Sequence, residues 1–380
     1  MYSYNEIKTV HLEITEKCNA ACPMCARNIN GGEDNPWLHN AELSLTDIHT
    51  IFPDAFIQQL NHMFMCGNYG DPIVAKDTLA VFKHFRKVNP NIYLSMNTNG
   101  SARTQAWWRD LAKTIGTDGY VIFSIDGLED TNYLYRKNTV WEKIIDNAKA
   151  YIEAGGIAHW EYIVFEHNEH QVEEARRLSE DMGFTKFQVK KSARFFSSVS
   201  GSTKSFVKTI NRKGEEIVIR EPSDALYANQ TTKEMSSIAE EKEILFPTKK
   251  IDLLGKLNPE MFDSRSKVQQ HYDTTSIKCK VKEEKSIYIS AEGILQPCCW
   301  VAGQMYNWYH TPKGSQLWSF INRVGKDKIN TLNHTLEDIL DNDYFGSIER
   351  SWDKPSCNEG KLQVCAKTCG TNDAFAQQYL

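Results

Sequence analysis

The first half of the chain repeats one unit: an apolar run, a loop of special residues, then a stretch with apolar side chains at helical spacing. His11-Leu12-Glu13-Ile14 reads as a buried strand, followed by Thr15-Glu16-Lys17-Cys18. His62–Cys66, Ile92–Asn97, Tyr120–Ile125, Trp160–Phe165 and Phe187–Val189 read as five more strands. Helical spacing covers parts of 44–60 (broken at Pro53), 74–88, 104–115, 140–154 and 169–182. Gly155-Gly156 and Gly183 are placed to end the last two. Strands alternating with helices imply parallel strands joined by right-handed crossovers. Six such units within residues 1–193 suit a partial (β/α)6 TIM-type barrel better than a full eight-unit one. A flat doubly wound sheet is the alternative. In either arrangement the loops at the carboxyl ends of the strands face the site.

The loop after the first strand carries Cys18, Cys22 and Cys25, spaced Cys-x3-Cys-x2-Cys. Three thiolates on one short loop can close around one metal centre. A [4Fe–4S] cube is usually held by four cysteines, so three local ones leave one iron open for another ligand. A structural zinc knuckle or disulfides are the plainer readings, although no fourth Cys or His follows at ordinary finger spacing. The N-terminus has no basic-then-apolar leader, and no apolar run reaches the length of a membrane span. These features lead to the expectation of a cytoplasmic protein with no membrane partner. Thiols in that compartment stay reduced, which argues against disulfides among the ten cysteines. The formal net charge of -5 gives no reason to expect nucleic-acid binding.

Nine of the cysteines fall in two groups, residues 18–25 and 279–369, with Cys66 alone between them. Residues 194–278 differ in composition. Ser197–Ser202 reads as a linker, 209–219 as a hairpin around Lys213-Gly214, and 232–245 as a polar helix. We therefore expect three segments: 1–193 the barrel, 194–278 a linker or insertion, and 279–380 a small C-terminal domain carrying the second cysteine group, whose clustering favours metal ligation. Residues 286–290 and 293–297 read as a hairpin turning at Ala291-Glu292-Gly293.

In this order and spacing the chain resembles the radical S-adenosylmethionine (SAM) superfamily. Cys18, Cys22 and Cys25 match its three-cysteine motif, whose open iron binds the amino and carboxylate groups of SAM. One electron then splits a carbon–sulfur bond, giving methionine and a 5′-deoxyadenosyl radical that abstracts hydrogen. The resemblance carries over residue by residue. Gly67, Gly70, Asp71 and Pro72 of Gly67-Asn68-Tyr69-Gly70-Asp71-Pro72 look like the family's Gly-Gly-Glu-Pro loop, which contacts the methionyl amino group. Asn99 lies in the strand-three ending, and Ser124 and Asp126 in the strand-four ending. Arg136 matches an arginine that pairs with the methionyl carboxylate in sulfatase-maturase-like members. Two positions depart from the pattern. Met24 replaces a residue that is commonly aromatic and touches adenine, and Asp71 is one methylene shorter than glutamate.

The second group resembles the start of the SPASM/twitch extension, with Cys-x13-Gly-x4-Cys from Cys279 to Cys298 and Cys-x3-Cys at Cys365 and Cys369. Two auxiliary cubes need about eight cysteines, and this group has six, so the resemblance implies one auxiliary cluster, of [4Fe–4S] type. Its expected ligands are Cys279, Cys298, Cys365 and Cys369. Cys357 is the substitute, and Cys299 a packing residue. A zinc ribbon is the alternative.

The function implied is a radical SAM enzyme that abstracts hydrogen from a peptide or protein substrate, supplied with electrons by a flavodoxin- or ferredoxin-type donor. Small-molecule dehydrogenation or rearrangement of the aminoglycoside or nucleotide type is the enzymatic alternative. An iron–sulfur electron carrier or redox sensor is the non-enzymatic one. Trp300, Tyr306, Trp308 and Tyr309 are candidates for a substrate surface or for core.

Overall fold

The computed structural model describes residues 1–192, 194–197, 202–203, 206–210, 215–229, 272–307 and 315–371. The expected helix at 232–245 lies outside the described residues, as do Trp308, Tyr309 and the Lys213-Gly214 turn.

The repeating units fold as an α/β sheet. Its six expected strands are β1 (Thr9–Leu12), β2 (His62–Met65), β3 (Tyr93–Thr98), β4 (Gly119–Ser124), β5 (Ala158–Val164) and β6 (Lys186–Lys191). They pair in chain order, all parallel. The helices between them are α1 (Leu45–Ile51), α2 (Asp54–Gln59), α3 (Thr78–Val88), α4 (Gln105–Ile115), α5 (Asn132–Tyr135), α6 (Trp141–Glu153) and α7 (Val172–Asp181). Local chemistry sets their ends. Pro53 divides α1 from α2, and Ser44 and Asp47 cap each other at the start of α1. Gly183, with φ +86°, follows α7.

The two faces of the sheet separate a barrel from a doubly wound sheet. Val10, Leu12, Met63, Met65, Leu94, Met96, Val121, Phe123, Trp160 and Val164 are fully buried and belong to the main hydrophobic core. The residues between them point the other way. In the paired registers these are His11, Phe64, Ser95 and Tyr120, then Asn97, Ile122 and His159, then Ser124, Glu161 and Gln188, then Ile163 and Lys190. A doubly wound parallel sheet must be apolar on both faces. This one is apolar on one face and largely polar on the other, as a partial barrel with a working interior requires.

Seven rings form a layer across the amino-terminal half of that interior. His11 stacks on Phe64 at 4.2 Å, and Phe64 on His62 at 5.1 Å. Tyr93 meets His62 and Tyr120, and Tyr120 stacks on His159 at 4.4 Å. Tyr288 closes edge-on against His11. The layer fills the floor and leaves the carboxyl rim as the working end.

The C-terminal hairpin is present, but it does not stand apart from the barrel. Its first strand, Ser286–Ile289, pairs parallel with β1, and its second, Leu295–Gln296, pairs antiparallel at the sheet's edge. Ile287 and Ile289 bury their side chains in the same core as Val10 and Leu12. Residues past 279 thus share sheet and core with residues 1–193. The expected hairpin in the middle segment also forms, as Phe206–Ile210 antiparallel to Glu216–Arg220.

Candidate active site

The cysteine loop leaves the carboxyl end of β1. The Cys25 N–H donates to the Cys22 carbonyl (3.0 Å), and the Ala20 N–H donates to Cys18 Sγ (3.3 Å). The thiols lie against an apolar wall. Ala20, Cys22, Tyr135, Phe165, Phe195, Val207 and Ile219 form a second, smaller core, on which Cys18, Met24, Cys25 and Ile163 pack. Met24 is therefore beside the cysteines and in contact with apolar surface. Its carbonyl accepts a hydrogen bond from Arg194 Nη1 (2.7 Å). Burial pushes the Cys22 thiol up to about 11, opposed by the Arg136 charge. Burial also raises Cys18, with the Asp71 carboxylate adding to the effect.

The loops named in the sequence converge on those thiols. Asp71 is buried, and both its oxygens are engaged. Oδ1 accepts from the Ile73 N–H (3.1 Å), and Oδ2 from the Asn99 N–H (2.8 Å) and Asn99 Nδ2 (2.7 Å). Asn99 Nδ2 also reaches Asn19 Oδ1 (2.9 Å) and lies 3.8 Å from Cys18 Sγ. Burial raises the Asp71 carboxyl, with these hydrogen bonds opposing it. Gly70 is required by close approach, since a Cβ there would fall 1.8 Å from the Thr15 carbonyl oxygen. At Gly67 it would fall 2.2 Å from the Gly70 carbonyl oxygen. Pro72 opens a single 3-10 turn, Pro72–Val74, capped by Asp71.

Arg136 and Asp126 form a buried pair, Nε to Oδ2 at 2.5 Å, and Asp126 Oδ1 accepts from the Ile163 N–H (2.6 Å). Arg136 Nη1 lies 3.9 Å from Cys22 Sγ. Burial works against the Arg136 charge, but Asp126 and Cys22 outweigh it and hold the guanidinium above its ordinary value. Ser124 ends β4, in register with Glu161 of β5. Glu161 in turn pairs with Lys190 of β6 at 2.5 Å.

Sequence reasoning missed one organising residue, Glu13. Its carboxylate accepts from the Tyr69 N–H (2.7 Å), the Gly70 N–H (3.2 Å) and the Tyr288 hydroxyl. It therefore ties the Gly67–Pro72 loop to β1 and to the C-terminal strand. Asn68 continues the link, donating from Nδ2 to the Cys299 carbonyl (2.8 Å). A charged residue inside an apolar strand was the available signal.

The second cysteine group also converges. Cys279, Cys298, Cys365 and Cys369 line one pocket of ≈ 350 Å³, measured to its open mouth, with Trp300 and Trp352 on the wall. Cys365 and Cys369 are four apart on the helix Gln363–Cys369 and share a face. Cys298 caps the short helix Cys299–Ala302. The neighbouring Cys279 thiol pulls Cys369 below the usual thiol range. Cys357 is buried and is not among the residues lining this pocket. Cys299 is not among them either; burial pushes its thiol up, and Cys298, Cys66 and Glu13 add to the effect. Trp300 is 47% exposed, whereas Tyr306 is core, its hydroxyl on Glu292.

Residues 12–179 match the family described as the Radical SAM superfamily. That stretch is a radical SAM domain. That family implies SAM and a [4Fe–4S] cluster. Two curated relatives share part of this region. Pre-heme d1 synthase of Dinoroseobacter shibae is 27% identical over 46% of this chain and 41% of its own length. The tungsten-containing aldehyde ferredoxin oxidoreductase cofactor-modifying protein of Pyrococcus furiosus is 29% identical over 32% of each. The chain thus spans well under half the length of the curated relatives it matches. Among solved structures, Streptococcus suis SuiB bound to precursor peptide SuiA superposes with a TM-score of 0.53 at 16% identity, covering 94% of this chain and 70% of that one. The protein anSMEcpe with bound AdoMet gives 0.52 at 14%, covering 96% and 86%. These likenesses are of fold. Among the described residues, no helix is long and apolar enough to cross a membrane.

Proposed function

We propose that the chain is a radical SAM enzyme, with Cys18, Cys22 and Cys25 holding the catalytic [4Fe–4S] cluster and Cys279, Cys298, Cys365 and Cys369 holding one auxiliary cluster. The observation that carries this reading is the convergence of Asn99 and Arg136 on the Cys18 and Cys22 thiols, at the working end of a barrel with a polar interior. The donor sets fit the groups. Three thiols on one loop leave one coordination position open, and four thiols around one pocket close a site. When bound, the cluster supplies the electron that cleaves a carbon–sulfur bond of SAM to yield the hydrogen-abstracting 5′-deoxyadenosyl radical.

The protein's own part is positioning and charge. Asp126 fixes Arg136 through Nε, which turns the rest of the guanidinium fork toward Cys22. There it suits the carboxylate of SAM. Asp71 has its oxygens engaged by Ile73 and Asn99, so it acts by holding Asn99 beside Cys18. Recognition of the SAM amino group then falls to backbone carbonyls of the Gly67–Pro72 loop. Met24 packs where an adenine ring needs an apolar partner, through its polarisable sulfur.

For the substrate we propose a peptide or protein. SuiB is described with a precursor peptide, and anSMEcpe with Cp18Cys and Kp18Cys peptides, on the same fold. The interior polar residues Ser124, Glu161, Gln188 and Lys190 suit the amide groups of such a chain. A flavodoxin- or ferredoxin-type protein is the proposed electron donor.

The test is iron and sulfide analysis of anaerobically reconstituted protein. Wild type should hold two cubes, about eight irons. Cys18→Ala/Cys22→Ala/Cys25→Ala and Cys279→Ala/Cys298→Ala should each lose about half. Zinc in place of iron and sulfide in the wild type defeats the proposal.

A further inference from the structure

We infer that Lys137 is a positioning residue, the latch that seats the paired strands Phe206–Ile210 and Glu216–Arg220 as a roof over the cysteine loop and keeps solvent from the thiols. This rests on reading Cys18, Cys22 and Cys25 as cluster ligands. An ammonium has three protons to donate. The buried Lys137 Nζ donates to three acceptors: the Gly31 carbonyl, Thr209 Oγ1 (3.3 Å) and the Ile210 carbonyl. Gly31 belongs to the loop that follows the cysteines, and Thr209 and Ile210 belong to the hairpin. The Lys137 carbonyl meanwhile accepts from the Ala21 N–H (3.0 Å), inside the cysteine motif. One residue thereby joins the cysteine loop, its continuation and the hairpin. The fit is close, since a Cβ on Gly31 would fall 2.8 Å from Thr209 Oγ1.

Beneath the roof, Val207 (4% exposed) and Ile219 (0%) pack in one cluster with Cys22, Tyr135 and Phe165. Ile217 packs on the same cluster, as do Cys18, Met24 and Cys25. The far end of the hairpin has its own anchor, with the Glu166 N–H donating to the Arg220 carbonyl (3.2 Å). The hairpin is thus tied at both ends and apolar underneath. Removing the ammonium leaves three acceptors without their donor and frees the end nearest Gly31. Water and small reagents then reach the cysteine loop.

The experiment compares anaerobically reconstituted wild type, Lys137→Met and Val207→Asn for the rate of iron loss to a ferrous chelator. The electron paramagnetic resonance signal of the reduced cluster is recorded with and without SAM. Two phases of loss are expected, and in both variants the phase belonging to Cys18–Cys25 should quicken about tenfold, the scale of outer-shell effects on metal sites. The phase belonging to the second cysteine group should stay put, and the SAM-induced change in signal should broaden. Equal rates in all three proteins overturn the inference. If Lys137→Met does not fold, Lys137→Gln takes its place, and equal iron loss in Lys137→Gln and wild type overturns the latch; Val207→Asn, which leaves the latch in place and perforates the roof, reports on the roof alone. Iodoacetamide labelling of the iron-free chain supplies a readout independent of any cluster. Faster alkylation of the peptide carrying Cys18–Cys25 in the variants supports the roof, and equal alkylation overturns it. A wild type that takes up no cube, with faster alkylation in the variants, means that the cluster reading has failed and the roof has not.

Discussion

Glu13→Gln should flatten the dependence of stability on pH. Glu13 is 1% exposed, and burial lifts its carboxyl from 4.5 to about 7, against the pull of its three hydrogen-bond donors. The folded state therefore holds the proton more tightly than the unfolded chain does. That preference stabilises the fold fully below pH 4.5 and is lost as the pH rises through about 7. The interval corresponds to about 3 kcal/mol. A glutamine keeps an acceptor for the Tyr69 and Gly70 N–H groups and can donate to the Tyr288 oxygen, with no proton to lose. The variant should match wild type to within about 1 kcal/mol at low pH and exceed it by about 2–3 kcal/mol near pH 8.5. Urea midpoints followed by tryptophan fluorescence at several pH values measure this. His11, His62, Asp71 and Asp126 are also shifted by burial, but they are common to both proteins and cancel in the difference. Parallel pH curves for the two proteins would refute the reasoning.

Lys190→Met leaves the Glu161 carboxylate buried without its ammonium and should cost about 3–5 kcal/mol in chemical denaturation. Glu161→Gln/Lys190→Met should recover most of that loss, and a double variant no better than the single removes the pair from the account. Gly70→Ala places a Cβ against the Thr15 carbonyl, and should lower stability by about 1–3 kcal/mol and weaken SAM binding measured by calorimetry. Asp71→Ala deprives the buried Asn99 N–H of its acceptor and leaves Asn99 Nδ2 with Asn19 Oδ1, at about 1–3 kcal/mol. It should also speed iron loss from the first cysteine group, and unchanged iron retention would count against Asp71 as a positioning residue. Cys357→Ala should retain the iron of the second group, whereas Cys365→Ala should lose it.

The barrel was legible because its information is local. Each strand is a short apolar run, each helix carries its own period and stop signals, and Pro53, Ser44 and Gly183 mark boundaries within a residue or two. The rim loops were legible because chain order places them after strands. Long-range pairing left less trace. Ser286–Ile289 announces a strand but does not say that its partner is β1, and a separate C-terminal unit was the simpler expectation. The short helix α5 carries too few residues for a period. Glu13 and Lys137 drew no reading in the sequence, because most of their partners are backbone groups at Tyr69, Gly70, Gly31 and Ile210; for Glu13 the one signal was a charge inside an apolar strand, and for Lys137 there was none. Arg136 was read for a ligand, and its tie to Asp126 became visible only in the fold.

The central claim is that the Cys18–Cys25 loop holds the cluster at which SAM is cleaved. Its most direct test is 5′-deoxyadenosine formation by anaerobically reconstituted, dithionite-reduced protein. Wild type should convert SAM to 5′-deoxyadenosine and methionine, and Cys18→Ala/Cys22→Ala/Cys25→Ala should not, while keeping the iron of the second group. No 5′-deoxyadenosine from a wild type carrying both clusters, or equal amounts from the two proteins, would contradict the account.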